Sequence, residues 1–343
     1  MPHPSDSSDA VLRAVDRLVD GVGEFRDLRA HGLHLIGARR ARGRGAPVPA
    51  DVAEAERRAA VQALTVPLAL RRVRELGDGP IAVLKGPELA ARYGDATLRP
   101  STDVDLLTLD ADDLQDRLLA DGFTPFGDAA DYGRTHHLQP LFEPKLGVKI
   151  EIHRRPEWVD WATPPATAEL LALAVPSAVG VDGISALPPA QHALVVAAHS
   201  WSQLPFRRLL DLVDLQLLLV DVAPGELAPL AADWGLARVV RALAAAGDCI
   251  LFGAAPTWAL RTWASDVRHA REQTVLRTHL HRLAGPFWAQ RPAGAVQSAA
   301  RGVARVARRH PGETWGRKVR RSLVAVRNAR RRRSEHDSHL ESR

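Results

Sequence analysis

The spacing of apolar residues divides the chain into helical outer segments and a central segment of short strands. Ala10–Val19 and Asp51–Leu76 place apolar side chains three and four positions apart, which predicts amphipathic helices. The sequence between them, ARGRGAPVPAD, is rich in Gly and Pro and predicts a loop. From Ala190 to about Leu283 the pattern is helical again.

Between residues 80 and 155 the pattern changes to short apolar runs. The predicted strands are Ile81–Leu84, Val104–Leu109, His136–Phe142 and Val148–His153, and the predicted helices are Glu88–Tyr93 and Asp112–Ala120. Strands and helices in this order predict a compact α+β unit. We therefore expect four parts: an N-terminal helical region at 1–76, a small α+β domain at 77–157, a C-terminal helical domain at 158–285, and a basic, flexible tail at 286–343 with at most a loose helix.

Composition indicates an ordinary globular protein. Apolar residues make up 46% and charged residues 25% of the chain. No apolar run is long enough to predict a transmembrane helix, and the acidic N-terminus does not resemble a signal peptide. The single Cys249 excludes an internal disulfide and a thiolate zinc cage. We expect a cytoplasmic protein.

The positive charge is concentrated near the C-terminus. The segment Arg301–Arg333 has 13 Lys and Arg against one acid, Glu313, so its own net charge is +12. The net charge of the whole chain is +6, so the remaining residues together carry −6. Such a tail is either a solvated segment or one that attracts nucleic acid or an anionic membrane.

Acidic residues alternate with apolar residues in two of the predicted strands. Asp103 and Asp105 are two positions apart, so their side chains point to one face while Val104 points to the other. Glu151 and His153 share a face in the same way. If the two strands are neighbours, three carboxylates converge, and such oxygen ligands suit Mg²⁺ or Mn²⁺.

A third feature is the turn at Lys85-Gly86-Pro87, between a predicted strand and a helix. Glycine permits a close backbone approach to a phosphate, and Lys85 would add positive charge. Each feature also has a structural alternative, because a D-x-D pair is often solvated and a K-G turn often only ends a strand or a helix. Their order along the chain favours a functional site.

These motifs resemble a known family. The matching residues are Leu84-Lys85-Gly86, Arg99, Asp103-Val104-Asp105, Gly122-Phe123, His137, Val148–His153, His199, and Arg208 with Asp211 and Asp214. They resemble the uncharacterised bacterial nucleotidyltransferase family of the DNA polymerase β-like superfamily, over roughly residues 20 to 285.

The resemblance implies a mixed sheet, dependence on Mg²⁺ or Mn²⁺, and nucleotidyl transfer. Asp103, Asp105 and Glu151 would be catalytic residues and metal ligands, with Glu151 alternatively the base. Lys85, Gly86 and Arg99 would contact the nucleotide. The sequence departs from the superfamily at Pro87, which supplies neither a hydroxyl nor an N–H.

Further polar residues are candidates for the cleft or for support of the ligands. They are His137, His153, His199, Arg208, Asp211 and Asp214. On a predicted helix Pro205–Val220, Arg207, Asp211 and Asp214 would form a narrow polar stripe, either a local salt bridge or one wall of the cleft. For His137 a structural role is at least as consistent with the sequence as ligation, and His153 could either contact a phosphate or pair with Glu or Asp.

The function expected is metal-dependent transfer of a nucleoside monophosphate from a nucleoside triphosphate such as ATP, with release of pyrophosphate. The acceptor hydroxyl or phosphate could belong to a small molecule, a protein or RNA. The alternative is an inactive protein of the same fold that binds nucleotide or a polyanion. A third hypothesis places the function in the basic tail.

Overall fold

A computed structural model of the chain describes residues 7–22, 24–129, 132, 135–203, 205–263, 283–307 and 314–328. Contacts divide the chain into two units, one of Met1–Ser202 with Phe206–Ala270 and one of Gln203–Pro205 with Arg271–Arg343. The sheet and every candidate site residue belong to the first unit.

Four helices precede the sheet. They are α1 (Ser8–Gly21), α2 (Phe25–Ala30), α3 (His34–Gly43) and α4 (Ala50–Leu76). The helix α1 starts where the Ser7 hydroxyl oxygen accepts a hydrogen bond from the Ala10 amide. The apolar side chains that predicted it, among them Val11, Val15 and Leu18, are buried.

The described residues form a seven-stranded mixed sheet. Its strands are β1 (Ile81–Val83), β2 (Val104–Thr108), β3 (Thr124–Pro125), β4 (Leu141–Glu143), β5 (Val148–His153), β6 (Val175–Pro176) and β7 (Ile184–Ala186). Their order is β3-β4-β5-β2-β1-β7-β6. The pairs β2–β5 and β1–β7 are parallel and the other pairs are antiparallel. The predicted α+β class is confirmed.

Helices cover one face of this sheet. Between the strands lie α5 (Pro87–Ala90), α6 (Ala111–Ala120) and α7 (Thr167–Ala172), with 3-10 turns at Ala91–Tyr93 and Ala96–Leu98. Apolar residues of α4 and α6 pack with the core-facing residues of β2 and β5, among them Val104, Leu106, Ile150 and Ile152. Since side chains alternate along a strand, the acidic residues of β2 and β5 lie on the opposite face.

The remaining helices follow the sheet. In the first unit they are α8 (Pro189–Gln203), α9 (Leu209–Leu219), α10 (Leu227–Asp233), α11 (Ala237–Phe252) and α12 (Trp258–Trp263). The helix α1 packs against α9 and α11, so the helices from both sides of the sequence meet. The second unit contains α13 (Pro292–Ala307) and α14 (Trp315–Asn328). None of the helices in the described part of the chain is long and apolar enough to cross a membrane.

Several predicted elements need correction. The strand predicted at His136–Phe142 is wrong in its first part, because β4 begins at Leu141, directly after Pro140, which has no N–H for a sheet ladder. The helix predicted from Pro205 starts only at Leu209, after Phe206 with its positive φ of 57°. The strands β3, β6 and β7 were not predicted, since runs of two or three residues show no recognisable period.

The basic segment after Pro286 also differs from the prediction of at most a loose helix. Its described residues include α13 and α14, which have 16 and 14 residues. Ala and Arg are strong helix formers, and the apolar residues of both segments recur at helical spacing. Residues 329–343, which include the four arginines 330–333, lie outside the described residues, so the predicted flexibility of the tail stays a prediction.

Candidate functional site

Two acidic residues face each other across neighbouring strands. The strands β2 and β5 are parallel, and Asp105 pairs in register with Glu151. Both carboxylates therefore lie on the sheet face away from the core that α4 and α6 cover. The neighbouring-strand arrangement that would bring the carboxylates together is thus present.

Asp103, Asp105 and Glu151 are called the acidic row below. Asp105 is its buried end, with an exposed fraction of 2%. Its Oδ1 lies 3.2 Å from Lys85 Nζ and 2.9 Å from His153 Nε2. Burial raises the pKa of the Asp105 carboxyl, but the charges of Lys85, His153 and His199 and the hydrogen bond from His153 outweigh burial and hold the pKa well below its usual value. Asp105 is therefore a permanent anion near neutral pH.

The more open end of the row contains a lysine between two acids. Lys149 Nζ lies 3.0 Å from Asp103 Oδ2 and 2.8 Å from Glu151 Oε1. Partial burial lowers the pKa of Lys149, but the two carboxylates raise it further, so the net shift is upward and the side chain stays charged. Asp103 is the most exposed of the three acids, with 27% of its side chain exposed against 15% for Glu151.

Two acids of the row and the neighbouring His153 could hold a metal ion. Ligand atoms of Asp105, Glu151 and His153 all lie within 4.8 Å of one another. Nδ1 of His153 is buried and has no hydrogen-bond partner in the described part of the chain, while Nε2 contacts Asp105. The two carboxylates supply the oxygen ligands that Mg²⁺ and Mn²⁺ prefer, and the imidazole adds a nitrogen donor of the kind that transition-metal ions bind. The residues therefore fit a divalent ion.

A second polar group, formed by His199, Glu157 and Ser202, adjoins Lys85. Lys85 Nζ lies 3.3 Å from the ring nitrogens of His199, and His199 Nδ1 lies 2.6 Å from Glu157 Oε2. The Ser202 hydroxyl donates to Glu157 Oε1 over 2.8 Å. This places His199 of α8 at the site and shows that a carboxylate of the loop after β5 orients it.

Two neighbouring histidines pack against His153. The rings of His136 and His137 each have centroids 5.2 Å from that of His153. Alternation along the predicted strand His136–Phe142 would have put the two histidines on opposite faces, and that expectation is wrong. His137 Nε2 is 4.0 Å from Glu151 Oε2. Burial lowers the pKa of His136 to about 3, so His136 is neutral near neutral pH.

The glycine turn contacts the acidic row through its backbone. Gly86 has φ +60°, and a Cβ added there would lie 2.7 Å from the backbone oxygen of Asp103. Arg99 Nη1 donates to the Gly86 carbonyl over 3.3 Å. Only glycine combines this φ with so close an approach, so the turn and the start of β2 form one rigid corner. The helix α5 that follows has only four residues.

Arg99 and Asp214 form a buried ion pair beneath that corner. Arg99 Nε and Nη2 lie 2.9 and 2.7 Å from the two carboxylate oxygens of Asp214, and the Tyr93 hydroxyl donates to the same carboxylate over 2.6 Å. Burial opposes the charge on Arg99, but Asp214 holds its pKa above the usual value. The contacts of Arg99 and Asp214 thus hold α9 to the turn.

Two further candidate residues, Arg208 and Asp211, pair with each other locally. Arg208 Nη2 donates to Asp211 Oδ1 over 2.8 Å. Arg208 precedes α9, and 43% of its side chain is exposed. Asp211 of the predicted stripe is therefore paired with Arg208, which is not part of that stripe. Arg207 also precedes α9, so the stripe of three residues on one helix is wrong.

A cavity of about 190 Å³ opens at the Asp103 end of the row. Most of the residues that line it are small and apolar, and they include side chains of α4, α5 and the segment before β7. Asp103 and Lys149 stand at its polar side together with Arg99, Ser101 and Thr102. The acidic row therefore borders a space large enough for a small organic group.

Comparison with known families decides the assignment of the chain. A family model described as "Uncharacterised nucleotidyltransferase" matches residues 26–248. The chain belongs to this nucleotidyltransferase family. The matched range contains every candidate site residue and ends before the basic segment. A search of curated proteins and a search of solved structures each found no significant match.

Two residues at the site, Lys149 and Glu157, are not among the candidates that the sequence analysis names. Lys149 lies two positions before Glu151 in β5, so strand parity alone could have placed it on the same face. Glu157 lies in a loop, where no periodic signal exists. Both contribute charge to the acidic row or to the residues beside it.

Proposed function

We propose that this chain transfers a nucleoside monophosphate from a nucleoside triphosphate to an acceptor, with a divalent ion, Mg²⁺ or Mn²⁺, at the acidic row. The observation that supports this most directly is the register pairing of Asp105 with Glu151 in a member of a nucleotidyltransferase family. Asp103, at the open end of the row, would complete the set of catalytic carboxylates.

Residues at different positions of the site would have different roles in binding the triphosphate. Lys85, beside Asp105, would present positive charge to a phosphate, and the corner at Gly86 would hold the backbone close to it. Arg99 would act by holding that corner, since its guanidinium is engaged by Asp214 and the Gly86 carbonyl. A divalent ion, when bound, would neutralise part of the negative charge of the triphosphate.

The acceptor oxygen would form a bond to the α-phosphorus while the bond from that phosphorus to the β-phosphate oxygen breaks. Pyrophosphate leaves with the electron pair. Of the two carboxylates paired in register, Glu151 would hold the ion or receive the proton of an acceptor hydroxyl, because 15% of its side chain remains exposed while Asp105 is buried. Histidines 137, 153 and 199 would hold and orient the carboxylates and Lys85.

The test is incubation of the purified chain with each α-labelled triphosphate and Mg²⁺ or Mn²⁺ in a cell extract depleted of small nucleotides. We expect release of pyrophosphate and one labelled product. Glu151→Gln and Asp105→Asn should abolish the product. Asp116→Asn, an exposed aspartate of α6, is the matched control and should not change it.

Nucleotide binding without pyrophosphate under all conditions would contradict the proposal and favour the alternative of an inactive binding protein. Activity retained in Glu151→Gln and Asp105→Asn alike would place the chemistry elsewhere in the chain.

A further inference from the structure

Lys149 lies where a cation bridging two carboxylates of the row would lie. Its Nζ is within 3.0 Å of Asp103 Oδ2 and 2.8 Å of Glu151 Oε1, so one ammonium contacts both acids. The lysine is part of β5, on the same face as Glu151, and 22% of its side chain is exposed. Its position is therefore set by the strand.

The other end of the row has a different composition. There, Asp105, Glu151 and His153 bring three ligand atoms within 4.8 Å, and the set does not include Asp103. Lys85 touches Asp105 from the side, at 3.2 Å. The row thus has one end filled by an ammonium and one end with ligand atoms that converge.

The charges at the row favour one divalent ion over two. Asp103, Asp105 and Glu151 supply three negative charges, and Lys85 and Lys149 supply two positive charges within hydrogen-bonding distance of them. A single divalent ion changes the small net negative charge into a small net positive one. A second ion, held between Asp103 and Glu151, would have to displace the ammonium of Lys149 from both of these carboxylates.

We infer that Lys149 is a built-in cation that takes the place of a second metal ion. The chain then binds one divalent ion, at Asp105, Glu151 and His153, and Asp103 serves as the partner of Lys149. This inference rests on the proposed function for the identity of the ion as the metal of the reaction. The ammonium would stabilise negative charge at the Asp103 end of the row, next to the cavity.

Equilibrium dialysis of the full chain against Mn²⁺ alone tests the inference, with bound Mn²⁺ counted by electron paramagnetic resonance. We expect about one Mn²⁺ per wild-type chain and about two per chain in Lys149→Met, whose side chain keeps most of the volume and loses the charge. Lys149→Arg, which keeps the charge, should bind about one, as the matched control. Circular dichroism and urea unfolding establish that each variant is folded.

Two further variants distinguish the ends of the row. Asp103→Asn should keep the Mn²⁺ bound to the wild type, whereas Asp105→Asn should lose it. Two ions in the wild-type chain, one in Lys149→Met, or loss of the ion in Asp103→Asn would each overturn the inference. A plain structural ion pair would not change the number of ions bound.

Because dialysis involves no nucleotide, its outcome is independent of turnover. A chain that binds one Mn²⁺ but releases no pyrophosphate would support the inference and contradict the proposed function. The opposite result, turnover with two bound ions, would do the reverse.

Discussion

The α-carbon of Gly86 faces the backbone oxygen of Asp103 so closely that a Cβ at residue 86 would lie 2.7 Å from it. Gly86→Ala should therefore lower the free energy of unfolding, by roughly 1–3 kcal/mol for the backbone conformation alone, and more because the start of β2 must move. The same movement should weaken Mn²⁺ binding at Asp105. Urea unfolding and Mn²⁺ titration measure the two effects.

Gly94→Ala is the control for that experiment. Gly94 also has a positive φ, of 75°, but a Cβ there would meet nothing within 4 Å. We expect it to lower stability with no change in Mn²⁺ affinity. Equal Mn²⁺ affinities in both variants would show that the corner does not position the acidic row.

The ion pair of Arg99 with Asp214 should dominate the stability of the contact between α9 and the glycine turn. Asp214→Ala leaves a buried guanidinium without its partner, which typically costs about 3–5 kcal/mol. Asp211→Ala, in the same helix, removes the partner of the more exposed Arg208 and should cost about 1 kcal/mol or less.

Urea unfolding of both aspartate variants measures the difference. The double variant Arg99→Met with Asp214→Leu should be more stable than Asp214→Ala, because it leaves no unpaired charge. Similar losses in Asp214→Ala and Asp211→Ala would contradict a structural role for the buried pair.

Stability should fall below neutral pH because of His192. Burial lowers its pKa from 6.5 to about 4, although the Leu84 carbonyl accepts a hydrogen bond from its ring. Between these values the unfolded chain binds a proton that the folded chain does not, so stability is present above the unfolded pKa and is lost as pH falls towards the folded pKa. The loss from this group is about 2 kcal/mol between about pH 8 and about pH 5.

His192→Gln keeps a donor for the carbonyl and does not titrate, so its unfolding free energy should depend less on pH than that of the wild type. Urea unfolding at the two pH values gives the slopes. His34→Gln should reduce the slope independently, because burial also lowers the pKa of His34 to about 4. An unchanged slope in His192→Gln would mean that this ring is solvated in the folded chain.

Truncation after Gly285 should leave turnover of a small acceptor nearly unchanged. The segment that is removed lies beyond the family match and has no acidic row or glycine turn. Its positive charge should instead increase attraction to nucleic acid or anionic vesicles at low salt, an effect that screening removes at high salt.

Fluorescence anisotropy with labelled RNA and a vesicle co-sedimentation assay, each at low and high salt, measure that attraction. A full-length chain with arginines 330–333 changed to Gln is the matched control for charge without truncation. Loss of Mn²⁺-dependent nucleotide binding on truncation would show that the segment completes the site, and the expected domain limits would have to change.

Local periodicity explains which elements could be predicted. The helices α1, α4 and α6 and the strands β2 and β5 have enough residues for apolar spacing to identify them, and the parity of β2 and β5 predicts which side chains share a face. The short strands β3, β6 and β7 lack such a signal, whereas the equally short β1 lies in a run of four apolar residues. Two predicted boundaries differ from the observed ones: β4 begins only after Pro140, and α9 begins only after Phe206 with its positive φ.

The sequence by itself determined the type of the central elements, the face on which each acid lies, and the family. It could not determine which strands are neighbours, because the pairing of β2 with β5 joins residues nearly fifty positions apart. Only the tertiary structure placed Lys149 between Asp103 and Glu151 and joined Arg99 to Asp214. Strand parity follows from local backbone geometry, whereas partners distant in sequence are chosen by packing and by the need to pair buried charge.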